Sequence, residues 1–486
     1  MGHHNSDPVP LAIFGVPFHN VDFDEAVDWV VDRIRSGRPA NIATANLDFV
    51  TKAWHDPELQ RVLIDADLVI ADGFPVVKLS PLFGPRLKSR VTGSDLVPKL
   101  AERAAREGFS VYGLGSADGV AKKALEVLKI RYPELKVAGT YSPPYAPLLE
   151  MDHRDILRHL ERARPDLLFV ALGVPKQDKF ISMHVRGWNV PVSIGVGGSL
   201  DFITGKQKRA PVWLQDLHME WFWRLCCNPR RLFARYVANV RFLLSASRQM
   251  WMIRRLPDKP GGFQILDEAA VEQLKTRGAM VEQFHQLESE EAARQFVAEL
   301  GAAAVSNIIL DLHPIPWLDS LELGALLEVN KRCRAKGGRL ILYALRPKVR
   351  RLLETCRLTS YFDTANRLNQ LEAILKNLNE HRDGGTAYEE GLLTLDLPME
   401  LTAATLPDFE QQAEFIHHEL KEQGILKTVS VDAAQLDFID SAGLGFLIAL
   451  KKVTQDEGVS MSIANLPPRP RRTFEIARVD KILLHA

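Results

Sequence analysis

Short apolar runs alternate with longer amphipathic stretches from about Leu11 to Ile203. Each run is long enough for one buried strand of a parallel sheet, and the stretches between them have helical spacing. The alternation predicts an α/β fold with a Rossmann-like, parallel-rich sheet covered by helices on both faces. The predicted strands are Asn41–Thr44, Asp67–Ala71, Ser110–Gly115, Leu135–Thr140, Leu167–Leu172 and Val192–Val196.

Polar side chains gather where these runs stop. In open α/β sheets ligands bind just beyond the carboxyl ends of the strands, so a site is expected there. A lysine at this place can face a phosphate, and a glutamine amide can bind a base or a sugar. The alternative is a set of ordinary strand-to-helix turns with solvated polar residues, and it stays open on this evidence. The candidates are Thr44, Asn46, Asp72, Lys176, Gln177 and Asp201.

The segment Lys206–Arg255 is rich in arginines and aromatic residues and has almost no acidic residue after Glu220. Arginines beside aromatics on amphipathic helices suit an anionic interface, either phospholipid or a lipid that carries a pyrophosphate. Two other interpretations remain: a helical pair packed on the first domain, and a nucleic-acid surface, although no recognised binding module is present. We favour the lipid interface and expect no nucleic-acid partner.

Composition restricts the class of protein further. The chain of 486 residues has 61 basic and 61 acidic side chains, so net charge argues for no particular partner. Four cysteines without a CxxC pair indicate a reducing compartment and argue against a zinc site. The first ten residues lack the apolar segment of a signal peptide, and no apolar run approaches a membrane span. We therefore expect a cytoplasmic protein.

The chain repeats itself beyond about residue 262. The stretch Trp317–Leu326 aligns with Phe438–Leu447, and each copy has a strand before it and a helix and a second strand after it. Two copies of this size predict two small α/β domains. Each copy has an Asp-Ser pair before an apolar helix. Ser320 and Ser441 are therefore either helix N-caps or phosphorylation candidates, and we expect a cap at Ser320 because Glu322 replaces the glycine of the second copy.

Motifs across the first half of the chain resemble those of the WecG/TagA/CpsF glycosyltransferases, glycosyltransferase family 26. They occur in the family's order as TANLDFV, ADLVIADG, TGSDL, LGVPKQD, GVGGSLDFITGKQKRAP, EWFWRL and NPRRLFARY. Both repeats resemble STAS domains. The second repeat, which contains DFIDSAGLGFLIALKK, is the closer match. The expected domains are a transferase core at 1–205, a membrane-docking appendage at 206–256, and STAS domains at 262–380 and 388–486.

The resemblance implies an inverting enzyme that transfers a sugar from a UDP-sugar to a polyprenyl-pyrophosphate-linked saccharide. It implies work in bacterial exopolysaccharide or other cell-surface polysaccharide synthesis, peripheral on the inner face of the plasma membrane, with no metal or other cofactor. By this likeness Asp72 is the catalytic base; the alternative is that Asp72-Gly73 is a turn. The remaining expected substrate-binding residues are Thr44, Asn46, Lys176, Gln177, Asp201, Arg224, Arg231 and Arg235.

Two further possibilities depend on other parts of the chain. Asp65-Ala66-Asp67 has the DxD spacing of metal-dependent sugar transferases, but we expect these aspartates at a helix end and a strand start. The STAS pair suggests regulation or docking through a protein partner or a kinase. A non-catalytic, membrane-associated scaffold that acts through the STAS domains is the alternative function.

Overall fold

The structure is a computed structural model of the chain. It describes residues 7–206, 210–211, 214, 220–257, 262–380, 384–407, 409–411 and 426–484. The predicted linker at Pro257–Gly262 and the predicted division at Arg382–Gly385 lie partly outside these residues. Element labels below follow chain order within the described part.

A six-stranded, wholly parallel sheet forms the centre of the first half of the chain. An antiparallel hairpin of β1 (Pro10–Ile13) and β2 (Val16–His19) precedes it and was not predicted. The spatial order of the sheet is β4-β3-β8-β7-β5-β6. This confirms the predicted parallel-rich α/β fold, with strand ends within one or two residues of expectation. The strands are β3 (Ala40–Ala45), β4 (Leu68–Ala71), β5 (Ser110–Gly115), β6 (Lys136–Tyr141), β7 (Leu167–Ala171) and β8 (Val192–Gly195).

Helices connect these strands, and several begin at a polar N-cap residue. Asn46 after β3 accepts backbone N–H bonds as the N-cap of α2, and Asp56 and Thr92 cap α3 and α5. Caps satisfy N–H groups that have no partner within the helix. The helices are α1 (Phe23–Ser36), α2 (Leu47–Ala53), α3 (Pro57–Asp65), α4 (Phe74–Leu79), α5 (Gly93–Glu107), α6 (Val120–Arg131), α7 (His153–Ala163), α8 (Lys176–His184), α9 (Ser199–Ile203), α10 (Glu220–Cys227) and α11 (Pro229–Arg254).

The first STAS domain is a four-stranded parallel sheet with helices around it, in the order β12-β11-β10-β9. Its predicted strands at 307–312 and 339–344 are confirmed. The elements are α12 (Glu268–Thr276), β9 (Ala279–Gln283), α13 (Glu290–Ala302), β10 (Asn307–Asp311), α14 (Ser320–Ala335), β11 (Leu340–Tyr343), α15 (Pro347–Thr355), β12 (Asp363–Ala365) and α16 (Leu368–Glu380).

The second STAS domain has a mixed sheet in the order β13-β14-β16-β18, with only the first pair antiparallel. Its first strand begins at Gly385, ahead of the expected start at residue 388. The elements are β13 (Gly385–Glu389), β14 (Leu392–Asp396), β15 (Glu400–Leu401), β16 (Thr428–Asp432), β17 (Phe438–Ile439), α17 (Ser441–Asp456), β18 (Ser460–Ala464), α18 (Pro468–Ala477) and α19 (Asp480–Leu483).

The first half of the chain and the first repeat share one hydrophobic core. Buried side chains of the β1–β2 hairpin, including Leu11 and Phe18, belong to the same cluster as Leu321 and Leu326 of α14. The backbone contact is close: a Cβ at Gly324 would lie 1.8 Å from the carbonyl oxygen of Pro10. The second STAS domain has a separate core, against which Leu149 packs from the transferase half. The two repeats are therefore joined to the first half of the chain in different ways.

The predicted cap at Ser320 is wrong, and the cap interpretation that was left open for Ser441 is wrong too, because the preceding aspartates cap both helices. The Asp319 carboxylate accepts the N–H groups of Leu321 and Glu322, and Asp440 accepts those of Ala442 and Gly443. A carboxylate at this position also interacts favourably with the helix dipole. The serines occupy the first helical position instead.

Candidate functional site

The ends of β3 and β4 bring Thr44 and Asp72 to one edge of the sheet. The strands are paired as Ala45 with Ala71, and the Asp72 N–H donates to the Ala45 carbonyl at 2.9 Å. The Asp72 carboxylate accepts the N–H of Gly93, the first residue of α5, at 3.3 Å. This contact orients the partly exposed carboxylate at the start of a helix. Gly73 follows directly, and a Cβ there would lie 3.1 Å from the Asn46 Cβ.

A second set of contacts links this edge to the loop after β8. The Thr44 hydroxyl donates to the Gly195 carbonyl at 2.8 Å, and the Gln177 side-chain oxygen accepts the Gly197 N–H at 3.1 Å. A Cβ at Gly198 would lie 3.8 Å from the Asp201 carboxylate. The Asp201 N–H donates to the Gly198 carbonyl at 3.1 Å, so Asp201 lies in the first turn after these glycines. The strand ends bring the predicted candidates of the core into one region.

Three of these side chains hold the protein's own backbone. Thr44 and Gln177 are 5% and 1% exposed, and both tie the glycine loop after β8 to neighbouring elements. The Asn46 oxygen is occupied by the N–H groups of Asp48 and Phe49, which leaves its NH₂ group as the donor for other contacts. Glycine at 195 leaves room for the Gln177 amide in this position, because a Cβ there would lie 2.6 Å from Gln177 Nε2.

Lys176 begins α8 and turns toward the loop after β6. Its ammonium donates to the Ala146 carbonyl at 3.1 Å and lies 4.7 Å from the ring centre of Tyr145. Partial burial lowers the pKa of this lysine. Lys176 therefore connects the start of α8 to the loop at 142–150, which we call the β6 loop.

Asp178 is a buried carboxyl that the sequence did not single out. It is 1% exposed and lies against Gly195, where a Cβ would be 3.0 Å from its Oδ1. Burial raises its pKa from 3.8 to about 7, because water stabilises the charged form more than the protein interior does. The sequence feature that could have identified Asp178 is its position at the end of the LGVPKQD motif.

Replacing Asp178 by Asn will flatten part of the dependence of stability on pH. Between about pH 4 and pH 7 the folded chain holds a proton that the unfolded chain has released. The stabilising contribution of the neutral carboxyl is therefore complete below about pH 4 and is lost as pH rises to 7. We expect the stability of wild type relative to Asp178→Asn to fall by up to about 1.4 kcal/mol per pH unit in this range. Urea unfolding at several pH values measures it; a constant difference between the two proteins would contradict the assignment.

The appendage helices lie across the transferase half. Arg235 of α11 pairs with buried Asp48 of α2 at 2.8 Å, and Phe242 packs against Trp54 with ring centres 5.2 Å apart. Glu220 of α10 lies 3.7 Å from Arg90, in the segment before α5. The side chains of Arg224 and Arg231 lie outside the described residues, so their predicted contacts stay predictions. Asp48 and Arg90 were not predicted; Asp48 lies within the TANLDFV motif, whereas Arg90 carried no sequence signal.

The DxD triplet is built into the fold as expected. Helix α3 ends at Asp65, which pairs with Arg61, and Asp67 precedes β4 and accepts the Asn41 N–H at 2.9 Å. Both aspartates serve local structure.

The two serines of the repeats are buried in this conformation. Ser320 is 2% exposed and its N–H donates to the Phe83 carbonyl, and Ser441 is 3% exposed. Phosphorylation at either position stays a prediction, and this packed arrangement would have to open to admit it.

The chain belongs to the family described as "Glycosyl transferase WecG/TagA/CpsF family", which matches residues 11–256, just over half of its length. The STAS domain family matches residues 264–371 and 386–485. This is therefore a glycosyltransferase-family chain followed by two STAS domains.

Named relatives share the first half of the chain. An "N-acetylglucosaminyldiphosphoundecaprenol N-acetyl-beta-D-mannosaminyltransferase" of Bacillus subtilis (strain 168) is 34% identical over 220 residues, covering 45% of this chain and 84% of the relative. A protein of the same name from Staphylococcus aureus (strain MRSA252) is 28% identical over 229 residues, covering 47% and 88%. A solved structure, "The overall structure of SLC26A9", is 15% identical over 34% of this chain and 32% of its own, with a TM-score of 0.17.

Among the residues that the structure describes, no helix is both long and apolar enough to cross a membrane.

Proposed function

We propose that this chain is an inverting glycosyltransferase that moves a sugar from a UDP-sugar to a polyprenyl-diphosphate-linked saccharide. The observation that carries the proposal is the position of Asp72, Thr44, Gln177 and Asp201 at the carboxyl edge of a parallel sheet, where they bond to Gly93, Gly195, Gly197 and Gly198 in turn. Ligands of open α/β sheets bind at this edge. The names of the relatives supply the chemistry: an acceptor with a diphosphoundecaprenol and an N-acetylmannosaminyl donor.

Asp72 is the base in this proposal. An inverting transfer needs a group that takes the proton of the acceptor hydroxyl while the opposite face of the sugar loses UDP. The Gly93 N–H fixes the carboxylate in place at the start of α5. Thr44 and Gln177 act as positioning residues that hold the glycine loop, while Asn46 and Asp201 contribute hydrogen bonds to the donor.

The departing diphosphate is stabilised by cations in place of a metal. Arg235 already lies beside α2 through its pair with Asp48, and Arg224 and Arg231 belong to the same appendage. Guanidinium groups bind phosphate oxygens in a bidentate manner and keep their charge at all relevant pH values. Lys176, at the start of α8, supplies a further cation near the same edge.

Helix α11 supports attachment to the anionic inner face of a membrane. Phe233, Val240, Leu244 and Trp251 are spaced seven, four and seven residues apart, so they form one stripe, and each is more than half exposed. The stripe lies opposite the buried face that contains Phe242 and Met250. The helix carries no acidic residue. Exposed arginines flank the stripe, at Arg230, Arg241, Arg248 and Arg255.

Replacing Phe233 and Leu244 together by Ser will weaken binding to anionic vesicles about a hundredfold. Each side chain contributes roughly 1.4 kcal/mol when its apolar surface enters the interface, which is about tenfold in affinity. Co-sedimentation with phosphatidylglycerol vesicles measures the change. The control is Ile130→Ser with Ile482→Ser, which removes exposed apolar surface elsewhere. Equal loss in both double variants would contradict a membrane-facing stripe.

A transfer assay tests the function. The full chain is mixed with UDP-N-acetylmannosamine, or another UDP-sugar, and N-acetylglucosaminyl-diphosphoundecaprenol, with and without EDTA. We expect a lipid-linked disaccharide, formed at the same rate in EDTA. Strict dependence on Mn²⁺ or Mg²⁺ would refute the metal-free mechanism. If no UDP-sugar gave a product, the scaffold alternative would replace the enzyme.

A further inference from the structure

The second STAS domain meets the transferase half through its helix N-terminus. The Ser441 N–H of α17 donates to Glu58 Oε1 of α3 at 2.6 Å, and Lys179 of α8 donates to the other Glu58 oxygen at 2.6 Å. Lys179 also pairs with Asp56 at 2.8 Å. Glu58 is 2% exposed, so this contact is dry. A charge-assisted bond of this kind is stronger than a bond between neutral groups.

Two carboxyl groups converge on this one helix end. Asp440 caps α17, and Glu58 comes from the opposite side of the interface. Burial, and then the nearby charge of Glu58, raise the pKa of Asp440 to about 7. The positively charged group that meets Glu58 here is Lys179. One more negative charge at Ser441 would therefore face carboxyl groups in a buried setting, which is strongly unfavourable.

A second part of this interface consists of buried ion pairs. Glu400 of the second STAS domain is bound by Arg61 of α3 and by Arg334 and Arg339 of the first STAS domain. Beside these pairs is a small cleft of about 30 Å³, lined among others by Arg61, Tyr361, Phe438 and Arg469. The first STAS domain, by contrast, shares its apolar core with the enzyme half. Polar interfaces of this kind are typical of domains that separate and rejoin.

The interface is also continuous with the candidate site. Lys179 follows Gln177 by two residues on α8. Leu149, in the β6 loop, packs against the core of the second STAS domain, and α17 contacts the short helical turn Leu148–Glu150. In the same loop, the Ala146 carbonyl accepts a hydrogen bond from the Lys176 ammonium. Docking of the second STAS domain therefore fixes a loop that borders the start of α8.

We propose that the second STAS domain is a detachable clamp, held by Glu58 at the N-terminus of α17, and that its docking orders the β6 loop beside the sugar-nucleotide site. Its binding partner in this state is the transferase half of the same chain. A negative charge at Ser441 displaces Glu58 and releases both the domain and the loop. The first STAS domain is a permanent part of the enzyme half. That the loop borders a sugar-nucleotide site rests on the proposed function; the docking itself does not.

Hydrogen–deuterium exchange on the full chain tests this proposal without any transfer assay. Glu58→Ala removes the carboxylate from the transferase side of the interface and leaves Lys179 paired with Asp56. Ser441→Glu adds a negative charge on the side of the second STAS domain. We expect both variants to accelerate exchange at least about tenfold in peptides that cover 441–444 and 148–153, because a buried charge-assisted bond is lost. The control is Glu126→Gln, an exposed glutamate of α6, which should match wild type.

Peptides of the shared core report whether the effect is local. Exchange within α14 and the β1–β2 hairpin should stay at the wild-type rate in Glu58→Ala. Unchanged exchange at 148–153, or acceleration throughout the shared core, would overturn the clamp. If Ser441→Glu does not fold, the exchange rates of Glu58→Ala alone test the proposal. Because exchange is measured without substrate, failure of the clamp and failure of the proposed reaction give separate results.

Discussion

Asp72→Asn will lower the rate of sugar transfer by about a thousandfold or more and leave the fold intact. Asn keeps an oxygen that accepts the Gly93 N–H, which the Asp72 carboxylate accepts at 3.3 Å, so the start of α5 stays in place. The amide cannot take the proton of the acceptor hydroxyl, and a positioned general base contributes roughly 10²- to 10⁴-fold. Initial rates with a saturating acceptor measure the loss, and thermal unfolding checks the fold.

The matched control is Asp118→Asn. Asp118 also follows a strand of the same sheet, but it is exposed and lies beyond β5. We expect wild-type rates for this variant. Near-wild-type rates in Asp72→Asn would reject Asp72 as the base, and equal losses in both variants would show that the assay reports on general damage.

Gly324→Ala will destabilise the protein by about 3 kcal/mol or more, whereas Gly445→Ala will stabilise it slightly. The two glycines occupy equivalent positions of the repeated motif, on α14 and α17. A Cβ at 324 would lie 1.8 Å from the Pro10 carbonyl oxygen, so the hairpin and the helix must separate, and overpacking of a core is costly. A Cβ at 445 meets no described atom within 4 Å, and Ala favours a helix over Gly by roughly 1 kcal/mol.

Chemical denaturation of the full chain measures both changes. The pair is informative because the substitution and the helical position are the same, so helix propensity cancels. Similar stability changes in the two variants would contradict the shared core between the first STAS domain and the enzyme half. If Gly324→Ala loses transfer activity at a temperature where it is still folded, the β1–β2 hairpin also helps to hold the candidate site in its active geometry.

The sequence predicted the six-stranded sheet and the grouping of the candidates because both depend on local patterns. An apolar run such as Leu167–Leu172 is specified by its own residues, and parallel strands necessarily end at the same edge. The repeated motif likewise predicted two domains of one fold. These features need no knowledge of which distant segments meet.

Contacts between distant segments were not predictable in this way. Glu58 and Ser441 are far apart in the chain, and nothing in either local sequence signals that a carboxylate closes the helix. Gly324 and Gly445 look alike in the alignment, yet only the first approaches another backbone. The capping error had a local cause: Asp and Ser are both good N-caps, and the choice between neighbours depends on where the first helical residue falls.

Glu322 shows how one substitution separates the two repeats. Its carboxylate accepts the N–H groups of Asp319 and Leu287, which completes a capping box and fixes the segment after β9. The second repeat has Gly443 there. The sequence comparison located this difference, and the structure gives its physical consequence.

A structure of the full chain with UDP bound tests the central claim most directly. We predict the uridine diphosphate at the carboxyl edge of the central sheet, between the Asp72–Gly93 contact and the start of α9, with arginines of the appendage near its phosphates. UDP bound elsewhere, for example in the cleft lined by Arg61 and Arg469, with the strand edge left open, would contradict the account.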